Sequence, residues 1–215
     1  MAEYRRGQVI FEENQPAEGL HLVVGGRVKL CIALDEVRKT IVDIVANGDI
    51  FGEAALLRLP KRGQSAIAIE PSVLMSWTAD EVEVIAERNA DARKAFIQML
   101  VQRCMSLEER LEAMALWNTR ERTMWALLRL GERMGKRVEP EWMRIPPFTH
   151  QLLSEYIGTS REIVTSALGS LRQGGYVRYT RRHIDIRYEA MQDLYAQRVR
   201  HSMAQSAGGG QSQAG

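Results

Sequence analysis

Apolar and polar residues alternate with period two over the first third of the chain. Val9–Phe11, Leu20–Val24, the series Val28, Leu30, Ile32 and Leu34, then Thr40–Val45, Ser65–Ile69 and Val73–Trp77 each read as a short strand. Gly25-Gly26, Asp35-Glu36 and Asn47-Gly48-Asp49 read as the turns between them. Strands recurring at roughly 8–12 residues predict a small β-barrel or roll. Asp80–Ala86 then reads as a short helix, and Asn89 opens a long one. Within the long helix Ile97, Leu100, Cys104, Leu107, Leu111 and Met114 fall at spacings of 3, 4, 3, 4 and 3, flanked by Arg103, Glu108, Glu109 and Arg110. This is a heptad seam. A seam this short suits packing on the roll or, the preferred reading, pairing with a second copy.

The helical period returns after a break and N-cap at Asn118-Thr119, where the domain hinge is placed. Thr119–Met134 is amphipathic (Trp125, Leu127, Leu128, Leu130) and ends at Gly135, followed by a short excursion through Pro140 and Pro146-Pro147. From Phe148 the pattern is two short helices and a tight turn. Thr149 is the first N-cap, and Leu152, Leu153, Tyr156 and Ile157 form one apolar face. Gly158 supplies a positive φ, and Thr159-Ser160 caps the next helix. That helix is expected to bury Ile163, Val164, Ala167, Leu168 and Leu171, leaving Arg161, Glu162, Thr165 and Ser166 outside. Gly174-Gly175 ends it. Two alternating segments around Thr180-Arg181-Arg182 then read as a small hairpin, with Arg178, Arg181 and Arg182 as its basic residues. Ala190–Arg200 reads as a final helix, and the tail from Ser206 as low-complexity and disordered.

Such a pair of helices can lay its second member in the B-DNA major groove, with polar side chains of its first turns against base edges. A helical hairpin inside an enzyme is the alternative. Charge favours DNA: residues 1–118 carry 14 Lys+Arg against 18 Asp+Glu, net −4, and residues 119–215 carry 15 against 9, net +6. No apolar run approaches the ~18 residues of a membrane span. Two cysteines, Cys31 and Cys104, are too few for a four-thiolate site in one chain and suit a reducing cytoplasm. The four histidines, His21, His150, His183 and His201, lack paired-ligand spacing, so no catalytic metal and no enzyme are expected. His21 reads as a strand residue rather than a haem ligand. Cys104 reads as a small buried apolar residue, with a disulfide to its twin across a dimer as the alternative.

The order of roll, long helix, hinge and winged helix-turn-helix resembles the cAMP receptor protein/fumarate-nitrate regulator superfamily of bacterial transcription factors, from Tyr4 to about Tyr188. GQVIFEENQPAEGLHLVVGGRVKL (7–30), GDIFGEAALL (48–57) and IGTSREIVTSAL (157–168) carry the likeness. The N-terminal helix that usually precedes the roll has no counterpart, so the start is either truncated or compact. The resemblance implies an α+β chain with an effector-type β-roll at 1–88, a dimerisation helix at 89–117, a winged helix-turn-helix at 118–200 and a disordered tail at 201–215. It also implies a cytoplasmic homodimer on a palindromic operator, with RNA polymerase as a further partner.

Residue by residue, Ser160, Arg161 and Glu162 match the family's recognition helix, but the family's later Arg is Ser166. Gly52-Glu53 match the Gly-Glu whose carboxylate holds a ribose, with a structural turn as the alternative. Gln64-Ser65 stand where the family has a phosphate-binding Arg-Ser, and Arg62 lies two residues off register. Leu107 and Glu108 replace the polar pair that contacts adenine. The resemblance therefore implies an atypical pocket, with no iron-sulfur cluster and no tight cAMP binding. An effector-independent regulator with a vestigial sensor is the rival reading.

Overall fold

The computed structural model describes residues 1–33, 39–180 and 182–197. The expected turn at Asp35-Glu36, the end of the alternating series at Leu34, and the disordered tail lie outside the described residues. The chain divides into two compact units, Met1–Ser106 and Leu107–Gly215.

The first unit holds β1 (Ala2–Tyr4), β2 (Val9–Phe11), β3 (Gly19–Gly25), β4 (Arg27–Ala33), β5 (Lys39–Ala46), β6 (Ile50–Phe51), β7 (Ser65–Ala68) and β8 (Ser72–Thr78). They pair antiparallel into two four-stranded sheets, β1-β8-β3-β6 and β2-β7-β4-β5. Period-two alternation turns Val23, Phe51 and Leu74 of one sheet onto Phe11, Val28, Leu30, Val45 and Ala66 of the other. The opposite face of β3 presents Leu20 to Ala55 and Val82, with Trp77 and Phe96 packed alongside. β1 and β6 escape the sequence pattern because three and two residues are too few to show alternation.

Helix α1 (Ala79–Arg88) begins one residue before the expected Asp80. Thr78 caps it: its Oγ1 accepts from Glu81 N at 3.2 Å, and Glu81 Oε2 accepts from Thr78 N at 2.8 Å. Asn89 Oδ1 accepts from the nitrogens of Asp91 and Ala92, both at 3.0 Å, and opens α2 (Ala90–Leu116).

The second unit contains α3 (Thr119–Met134), β9 (Lys136–Glu139), β10 (Trp142–Ile145), α4 (His150–Ile157), α5 (Arg161–Gln173), β11 (Val177–Tyr179), β12 (Ile184–Ile186) and α6, residues 188–197. Here the structure corrects the sequence reading. The supposed excursion after Gly135 is a hairpin, β9-β10, that completes the sheet β11-β12-β10-β9. Every residue of β9 is exposed, so no inward alternation marks it as a strand. Its pairing with β10, and that of β10 with β12, makes it one.

His21, facing the interior of the roll, stacks on Phe51 at 5.2 Å and lies 5.6 Å from Phe11; its Nδ1 is 2.7 Å from Ser76 Oγ. Burial, helped by the charge of Arg62, pulls its pKa down to about 4. An unfolded chain protonates this ring near pH ~6.5 and therefore takes up the proton first as pH falls. Stability should drop between about pH 6.5 and about pH 4, by at most about 3 kcal/mol, less as solvent reaches the ring. His21→Phe should remove that part of the pH slope in urea unfolding midpoints, and an unchanged slope would contradict it.

Candidate functional site

Local chemistry sets the two helices of the candidate DNA-reading surface. Thr149 Oγ1 accepts from Leu152 N at 3.1 Å to start α4. Gly158 stops it with φ +76°, a left-handed conformation costly for any residue with a side chain. Ser160 Oγ accepts from Ile163 N at 3.4 Å to start α5. Along α5, Val164, Ala167, Leu168 and Leu171 are buried, and the helix contacts α3 and α4. Arg161, Glu162, Thr165 and Ser166 are exposed, as their spacing predicts. Ile163 is not: expected inside, it is 46% exposed. At 100° per residue it lies one step off the inward stripe centred on Val164 and Leu168. The Glu162 carboxyl is held below its usual range by its own backbone N–H and then by the Ser160 hydroxyl, so it faces solvent as an anion.

A cluster that spacing rules miss joins α4, α5 and β11. His150 Nδ1 lies 2.8 Å from Thr165 Oγ1, and Thr165 Oγ1 lies 2.8 Å from the Arg161 carbonyl oxygen. The His150 ring meets Tyr179 edge-on at 5.9 Å, and the Arg172 guanidinium lies 5.5 Å from the Tyr179 ring. His150 looked like one scattered histidine because its partners come from 15 to 29 positions away.

The wing is less uniformly free than its composition suggests. Arg178 donates to Asp185 at 2.9 Å and to Glu139, and lies 4.2 Å over the Trp142 ring. Asp185, 1% exposed, also accepts from Arg144 at 2.7 Å. Arg144 foremost, and then Arg178, hold its carboxyl below the usual range against the opposing effect of burial. Arg178 thus has a structural commitment. Arg182 is exposed, with its backbone N–H donated to Thr180 Oγ1 at 3.1 Å. Arg181 lies outside the described residues.

In the roll, Gly52 (φ +90°) leads into a 3-10 turn at Glu53–Ala55. A Cβ at Gly52 would meet Gly19 O at 2.9 Å and Arg62 Nη1 at 3.0 Å. Glu53 Oε2 is 3.2 Å from Arg103 Nη1, a partner the sequence comparison did not single out. Ser65 Oγ accepts from Glu13 N at 3.0 Å, and Gln64 beside it is half-buried. Arg62 is 5% exposed: Nη2 donates to Gly19 O at 3.0 Å, and its guanidinium carbon sits 3.9 Å from the Phe11 ring centre. Its Nε and Nη1 have no hydrogen-bond partner among the described residues. Burial lowers its pKa, with Glu18 and Glu53 opposing. It lines a cleft of about 540 Å³ together with Phe11, Glu18, His21, Trp77 and Glu81, a lining that excludes Glu53, Gln64 and Ser65. Leu107 and Glu108 belong to the second unit, and both are exposed.

Ile97, Leu100, Leu107, Leu111 and Met114 are each 38–70% exposed along α2. Cys104, expected buried, is exposed with them, because the single chain supplies no cover for the seam.

A family model described as a cyclic nucleotide-binding domain matches residues 1–89, and one described as a Crp-like helix-turn-helix domain matches residues 121–194. The chain is 28% identical over 186 residues to the global nitrogen regulator of Synechocystis sp., covering 85% of this chain and 82% of that one. It is 26% identical over 188 residues to the cyclic AMP receptor protein of Thermus thermophilus, covering 87% and 84%. The fold is similar to that of FixK2 from Bradyrhizobium japonicum, with a TM-score of 0.78 at 23% identity over 90% of this chain and 95% of that one. A cyclic nucleotide-binding domain and a Crp-like helix-turn-helix domain thus follow one another in one chain, and the chain belongs to the cAMP receptor protein/fumarate-nitrate regulator superfamily of transcription regulators.

Proposed function

We propose that the protein regulates transcription as a homodimer, laying α5 of each protomer in successive major grooves of a palindromic operator. The division into roll 1–88, dimer helix 89–117 and DNA-binding domain 118–200 belongs to this reading, as do RNA polymerase as the partner acted on and a cytoplasmic location. The observation that carries it is α5 itself: a buried stripe anchors the helix while Arg161, Glu162, Thr165 and Ser166 stand exposed together. An arginine can bond bidentately to guanine and a glutamate can accept from cytosine N4, so the face has base-reading chemistry. The exposed seam of α2 supports the dimer, since two half-sites one helical turn apart, ~34 Å, need two reading heads. Selection from a random DNA pool tests the whole: a palindrome of two half-sites at that spacing is expected, and a pool that stays random would refute it.

Two variants divide that reading into parts. Leu107→Glu would place like charges in the seam and should split the dimer in sedimentation, with operator affinity falling accordingly. An intact dimer would mean that the seam has another use. Arg182→Ala should weaken binding to all sequences alike and lower the log K against log salt slope by about one unit. Arg178→Ala, by contrast, should lower thermal stability, because it strips a partner from buried Asp185. Equal slope changes in the two variants would refute the division of labour.

The effector pocket is proposed as atypical. A cyclic phosphate needs a paired cation or a dense set of N–H donors when buried. Gln64 offers an amide, Arg62 is turned to Gly19 O and Phe11, and Arg103 is engaged by Glu53. Calorimetry with cAMP should therefore show binding weaker by about two orders of magnitude than a low-micromolar effector. Operator binding should need no added nucleotide, and that outcome would favour the second reading, an effector-independent regulator. A low-micromolar dissociation constant with a matching gain in operator affinity would show that Arg62 or Arg103 has taken over the clamp.

A further inference from the structure

The surroundings of Thr165 decide what that residue can offer a base. Its hydroxyl oxygen is 2.8 Å from the Arg161 carbonyl oxygen and 2.8 Å from His150 Nδ1. A carbonyl only accepts, so the single hydroxyl proton is directed to Arg161 O. With that proton committed, His150 Nδ1 must carry a hydrogen and donate to Thr165. This holds for the protonated ring and for the neutral ring as its Nδ1–H tautomer. The imidazole is itself held edge-on against Tyr179 at 5.9 Å. The Thr165 hydroxyl therefore has no proton left for guanine N7 or O6, adenine N7 or thymine O4. Fixing Oγ1 of a β-branched side chain also fixes χ1, and with it the position of the γ-methyl. Besides one remaining acceptor lone pair, of use only to adenine N6 or cytosine N4, an exposed Thr165 presents that methyl.

Base edges in the major groove have one apolar feature, the 5-methyl group of thymine. We propose that Thr165 is a specificity-determining residue that reads one thymine per half-site by methyl contact, and that His150 is the positioning residue that keeps the Thr165 hydroxyl turned inward. This deepens, and rests on, the reading of α5 as the recognition helix. Arg161 and Glu162 supply polar readout from the first turn, and Thr165 adds an apolar test one turn further on.

Deoxyuridine differs from thymidine only in lacking that methyl, so it isolates the contact. The selected operator is prepared with each thymine replaced in turn by deoxyuridine, and affinity is measured by fluorescence anisotropy. Wild type should lose about fourfold at one position per half-site, what one buried methyl is worth, and little elsewhere. Thr165→Ser keeps the hydroxyl and lacks the methyl, so it should bind both versions of that position equally. Thr165→Val keeps a γ-methyl and should retain the discrimination. His150→Ala should shrink the ratio towards one while binding DNA with an unchanged salt slope. Indifference of wild type to deoxyuridine at every position, or undiminished discrimination by Thr165→Ser, would overturn the assignment and leave the recognition helix standing. Absence of any sequence-selective binding by wild type would overturn both.

Discussion

The second unit depends on four side chains that face its interior. Val164, Ala167, Leu168 and Leu171 are all buried, and they dock α5 against α3 and α4. Burial on this scale, roughly 1.5–3 kcal/mol for a full-sized aliphatic side chain, fixes the rotation of the helix about its own axis. Once that rotation is set, Arg161, Glu162, Thr165 and Ser166 have no choice but to point outward. The caps at Thr149 and Ser160 and the left-handed Gly158 set where α4 ends and α5 begins. The exposed polar face of α5 is thus a by-product of packing.

Electrostatics divides the arginines of this unit into two kinds. Buried Asp185 draws Arg144 and Arg178 onto itself, so part of the basic charge near the wing serves to hold the sheet β11-β12-β10-β9 together. A carboxylate at 1% exposure needs such partners, and removing one costs more than a surface pair is worth. The net +6 of residues 119–215 already subtracts Asp185, so these pairs decide where the basic charge sits rather than how much of it there is.

The roll has a comparable internal arrangement with a different consequence. Phe11, His21 and Phe51 form an aromatic group, and Arg62 lies over Phe11 with one N–H on Gly19 O. A side chain at Gly52 would collide with the Gly19 carbonyl oxygen, 2.9 Å from its Cβ, and crowd the Arg62 guanidinium. A cation is thereby stored inside the sensor-type domain beside the turn that carries Glu53, while Glu53 is held by Arg103. Glu53 is thus paired, whereas buried Arg62 keeps two nitrogens without a hydrogen-bond partner among the described residues.

The main elements were legible in the sequence: period-two alternation for the roll, heptad spacing for α2, and caps with a glycine turn for α4 and α5. These are local properties, expressed over windows of 4 to 18 residues, and backbone sterics and apolar periodicity suffice to read them. Tertiary structure decided the rest. β9 is a strand only because β10 pairs with it, Ile163 is exposed because the stripe of α5 centres one residue further on, and Arg178 is committed because Asp185 lies buried seven residues away on the next strand. Arg62 meets Phe11 and Gly19 only through closure of the roll, and His150 meets Thr165 only through docking of α4 on α5. The last two are contacts between residues far apart in the chain, where no spacing rule applies and the energy of burial, not propensity, chooses the partner.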